Sequence, residues 1–108
     1  MKKYRVYRSL GKLDKAVRKH ELIAVEYGEN VFDATDRLIK AVSDDAGSLE
    51  KYRNGNWRAS AYAPMPVESF RNVKRYDYEM TAILYPDFGE KNDLIEYGII
   101  EEGISEGS

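Results

Sequence analysis

The sequence predicts an α+β domain: an antiparallel sheet of about five strands, ordered strand, strand, helix, strand, strand, strand, with one main helix across a face. Three observations carry this. Five segments alternate apolar and polar residues in the period-two pattern of half-buried strands. Residues 30–47 alone combine a long helical apolar stripe with a cap. Turn residues separate the segments, and the 108-residue length suits a single domain.

Taking the elements in order, KKYRVYR (2–8) sets Tyr4 and Val6 against Arg5 and Tyr7 and predicts a strand. SLGKLDKAVRK (9–19) is ambiguous between a short helix, through Leu13, Ala16 and Val17, and a connection. HELIAVEY (20–27) places Ile23, Val25 and Tyr27 on one side, a second strand closed by Gly28. In NVFDATDRLIKAVSDDAG (30–47), Asn30 is a good N-cap. Asp33 and Asp36 precede Arg37 and Lys40, the charge order a helix dipole favours. Val31, Ala34, Leu38, Ala41 and Val42 form the apolar stripe.

Residues 48–55 read either as a further helical turn or as a strand entering a hairpin at Asn54-Gly55. WRASAYA (57–63) alternates and ends at Pro64 and Pro66. VESFRN (67–72) suggests a single helical turn. RYDYEMTAILY (75–85) is the strongest strand pattern, with Tyr76, Tyr78, Met80, Ala82 and Leu84 on one face. PDFGEKN (86–92) is turn-rich, and DLIEYGII (93–100) follows as the hairpin partner. The sequence predicts one compact domain over 1–102 and a flexible polar tail over 103–108, with all of EEGISEGS (101–108) polar and mobile.

Composition narrows the chemistry. Apolar residues make up 43% and charged residues 33%, a globular balance, and cysteine is absent. That excludes disulfides and Cys-ligated metal sites and fits a cytoplasmic protein. No apolar run approaches a membrane span. Net charge is −2 with pI near 5.5, yet charge is segregated along the chain. Residues 1–20 carry +7, 21–50 carry −6, 51–75 carry +5 and 76–108 carry −8. Basic blocks are therefore expected either to pair with acidic ones across strands or to give a dipolar surface.

Catalytic patterns fail on context. Gly-Ile-Ser-Glu-Gly (103–107) spells G-x-S-x-G, but a nucleophile elbow needs a helix after Ser105, and only Ser108 follows the motif. His20, the sole histidine, has no second ring for a His-based metal site and reads as a strand-end surface residue. The acidic clusters suit solvation or a helix dipole better than an acid–base pair. The expectation is a non-enzyme without cofactor or metal.

Basic and aromatic residues interleave at 4–8, at KYRNGNWRAS (51–60) and at 70–76. Bases stacking on aromatics beside Lys and Arg would suit single-stranded DNA or RNA. Any half-buried strand interleaves core aromatics with exposed charge in the same way. Trp57 reads as core anchor or exposed platform. The candidate binding residues are Lys51, Arg53, Arg58, Arg71, Lys74 and Arg75. The profile is similar to that of small accessory proteins of phages and mobile elements, some of which inhibit host nucleases or defence complexes. The leading expectation is a non-catalytic binding or regulatory module docking on a protein partner that handles nucleic acid. The alternatives are direct single-stranded nucleic-acid binding and a structural subunit oligomerising through a sheet edge.

Overall fold

A computed structural model describes residues 1–10, 19–67, 76–89 and 91–103. Strands β1 (Lys2–Leu10), β2 (Lys19–Gly28), β3 (Trp57–Ala61), β4 (Met65–Pro66), β5 (Tyr78–Pro86) and β6 (Asp93–Gly103) and helix α1 (Val31–Ser48) follow the expected order, with β4 a short addition. All ladders are antiparallel, in the order β2-β1-β6-β5-β3, and β4 also pairs with β5. The long N- and C-terminal strands lie side by side at the centre. Helix α1 leaves β2 at one edge and crosses a face to deliver the chain to β3 at the other.

The helix begins where the sequence places it. Asn30 Oδ1 accepts the Asp33 N–H at 2.9 Å, filling one of the orphan donors of the first turn. Ala34, Leu38, Val42 and Ala46 are buried against Tyr4, Val6, Met80, Ala82, Leu84, Tyr97 and Ile99 of the sheet. Alternation then sends the intervening strand residues to the opposite face. Among the described residues no helix covers that face.

Four local expectations need correction or a limit. Residues 49–56 form turns and no strand: past the Leu49 cap the Arg53 N–H returns to the Leu49 carbonyl at 3.0 Å, a single helical-type turn, and Gly55 takes a φ of 90°. Tyr76 does not share the face of Met80: the chain bends at Asp77 and Tyr76 reaches the helix-free face beside Tyr7. Residues 101–103 belong to β6 instead of a mobile tail, because Lys2 to Tyr4 extend the β1 ladder to meet them. Most of 9–19 and of 67–72, together with Ser105, lies outside the described residues.

Candidate protein-docking surface

The ladders pair part of the segregated charge of the sequence. Lys2 Nζ reaches Glu101 at 2.8 Å and Arg5 reaches Glu102, joining the basic start of the chain to its acidic end. Arg8, only 8% exposed, is bound by both oxygens of Asp45 at 2.7 Å and also by Glu21. Tyr97 donates its hydroxyl to the same Asp45 at 2.6 Å. This cluster ties β1, β2, β6 and the end of α1 together. Glu101 and Glu102 of the last strand are thus engaged inside the molecule.

The candidate basic residues separate. Lys51 Nζ sits 2.8 Å from Asp93 Oδ2 and 5.6 Å from the ring centroids of Tyr52 and Trp57. Tyr52 also donates to Asp93, at 2.7 Å. These bonds hold the Asp93 carboxyl below the usual carboxylate range. Burial, with the Asp93 bond, pushes the Tyr52 hydroxyl up to about 12. Trp57 is half-buried, edge-on to Tyr52 with centroids 5.0 Å apart, and packs on the core. Lys51 therefore braces the turn over the β5–β6 end. Arg53 is exposed in that turn, its backbone N–H donating to the Leu49 carbonyl at 3.0 Å. Arg71, Lys74 and Arg75 lie outside the described residues.

Arg58 differs. It alternates with Trp57 along β3, so its side chain projects onto the helix-free face, 84% exposed and 3.9 Å from Asp87. Directly across the ladder lies Tyr85, 38% exposed. One step inward Ile83 faces Ser60 on one side and Leu94, 66% exposed, on the other. Phe88, 82% exposed, stands in the β5–β6 turn. Tyr85 and Leu94 thus stand exposed on either side of the buried Ile83, with Arg58 at the edge and Phe88 in the turn beyond. Exposed contiguous apolar surface beside polar groups is the usual form of an interaction site.

Sequence reasoning named Arg58 but missed Leu94, Tyr85 and Phe88. Leu94 and Tyr85 each read there as ordinary members of a strand pattern; only the register shows that both fall on the uncovered face. Along the rest of that face, Lys3 and Arg5 are offset by Glu79, Glu96 and Glu102, which share its side of the ladders. Among the described residues this face carries no basic track of the kind that follows phosphates. Among the described residues no helix is long and apolar enough to cross a membrane. No protein-family model matches the chain, and neither a curated protein nor a solved structure matches it.

Proposed function

We propose that this protein is a non-catalytic module that docks on a protein partner through the corner formed by Arg58, Tyr85, Leu94 and Phe88. The observation that carries the reading is this grouping of large apolar side chains, left uncovered around a highly exposed Arg58. Tyr, Phe and Arg are the types that anchor protein interfaces, an apolar centre with a charged rim. The complementary surface carries an apolar side chain to meet Leu94 and a carboxylate to meet Arg58.

The balance of charge on the helix-free face favours a protein over single-stranded nucleic acid. The notion of an accessory or inhibitor protein from a phage or mobile element, acting on nucleic-acid machinery in the cytoplasm, rests on size and composition alone; the docking corner is independent of it. Affinity capture from the source organism tests the reading. The wild type is expected to retain a protein partner after nuclease treatment, and Leu94→Asp to lose it while melting like the wild type. Capture that disappears with nuclease and ignores Leu94→Asp would instead establish nucleic-acid binding.

A further inference from the structure

We infer that β3 is a homotypic pairing edge, through which two copies of this chain join antiparallel about a two-fold axis at Ala59 into one continuous sheet. The inference stands apart from the docking corner and rests on the hydrogen-bond phase of β3. Tyr62 donates its N–H to the Thr81 carbonyl at 3.1 Å, and Asp87 donates to the Asn56 carbonyl at 2.9 Å. In an antiparallel ladder bonded pairs recur every second residue. Arg58 and Ser60 therefore bond Tyr85 and Ile83, and the N–H and C=O groups of Trp57, Ala59 and Ala61 point away from β5. Because β3 ends the sheet, no strand among the described residues pairs with these groups, and they form its outer edge.

The other edges are guarded. The β1–β2 ladder is irregular between Val6 and Tyr7, and β2 carries Glu21 and Glu26. Pro64 and Pro66, at and before β4, cannot donate there. Bulges, charges and prolines are the usual means of blocking strand addition. β3 has no proline, a regular ladder and one charged residue, Arg58. The turn before β3 does not cover the edge either: Lys51 and Tyr52 draw it inward to Asp93 on β6.

The side chains select a second copy as the occupant. With Ala59 opposite its own symmetry mate, Trp57 meets Ala61 and Arg58 meets Ser60. All outward backbone groups of Trp57, Ala59 and Ala61 then find partners. On the helix side the half-buried Trp57 ring covers the small Ala61 of the other copy. On the other face Arg58 sits opposite Ser60 and diagonal to both Tyr62 and Arg58 of the other copy; the exposed Tyr62 ring offers aromatic–cation contact, and the two highly exposed Arg58 heads can splay into solvent.

Sedimentation velocity of the full chain over a concentration series tests this. The wild type is expected to show a reversible monomer–dimer equilibrium. Ser60 is exposed, so its substitutions leave the core untouched. Ser60→Glu sets a carboxylate opposite Arg58 in both symmetric pairs and is expected to tighten the dimer several-fold. Ser60→Arg opposes like charges and is expected to weaken it about tenfold. Ala59→Pro removes an outward N–H without removing a bond to β5 and is expected to give a folded monomer. A wild type that stays monomeric throughout, or a dimer indifferent to both Ser60 charges, would overturn the inference. Leu94→Asp leaves this equilibrium unchanged, and Ala59→Pro, whose side chain lies on the helix side, leaves partner capture unchanged, so the two readings fail separately.

Discussion

The ring of Tyr76 rests against Gly98 on the helix-free face, filling the space a side chain would otherwise take, with the Tyr7 ring centroid 6.1 Å away. A β-carbon at Gly98 would overlap the Tyr76 ring. Gly98→Ala is therefore expected to displace Tyr76 and cost about 1–3 kcal/mol in urea unfolding, as overpacking does. Combined with Tyr76→Ala the loss should be less than additive, because the clash is then gone.

Leu38 is completely buried at the centre of the helix–sheet contact. Leu38→Ala is expected to cost about 2–5 kcal/mol. A loss of less than about 0.5 kcal/mol, the scale of a surface substitution, would contradict the packing of α1 described above.

Arg8 and Asp45 form the most enclosed ion pair, with side chains 10% and 15% exposed. Asp45→Ala removes the two-oxygen partner of the guanidinium, leaving it only the more exposed Glu21, and should cost up to about 3–5 kcal/mol. Replacing both together, Arg8→Met with Asp45→Leu, should cost much less. Equal losses in the single and double variants would show that the charges contribute little.

Two groups near the turn contribute to the pH dependence, alongside Glu101, whose pKa is also lowered, and Tyr4, Tyr78 and Tyr97, whose pKa values are also raised. Asp93 titrates below its unfolded value near 3.9, so its contribution is present above about pH 4 and fades as pH falls through the folded value. The stability gap between wild type and Asp93→Asn should be constant near neutrality and shrink below about pH 4. Tyr52 is raised to about 12, so its contribution is complete below about pH 10 and is lost as pH rises from there through 12. Tyr52→Phe should remove only its own share of the alkaline loss, so the gap between wild type and Tyr52→Phe should shrink as pH rises from about 10 toward 12, followed by denaturant melts.

The fold was legible wherever one physical signal dominated. The α1 stripe with its Asn30 cap, and the alternation from Tyr78 to Leu84, each have one low-energy reading. The turn at 49–56 was not, because both a helical continuation and a hairpin satisfy the local pattern. What decides it is tertiary: the bonds from Lys51 and Tyr52 to Asp93, more than forty positions away in the chain. Tyr76 was misassigned because strict alternation knows nothing of the bend at Asp77 or of the space above Gly98. At the site, Arg58 stood out as a cation in a basic–aromatic segment. Its apolar neighbours did not, since Leu94 and Tyr85 join it only through the β3–β5–β6 register.

The central claim is that Arg58 and the apolar corner beside it engage a protein. Association kinetics between the purified protein and its captured partner, measured across a salt series, test it most directly. Arg58→Glu is expected to slow association and reverse or flatten its salt dependence, while single-stranded DNA and RNA remain unbound. An association rate unchanged by Arg58→Glu, or binding to single-stranded nucleic acid whose affinity falls steeply with salt, would contradict it.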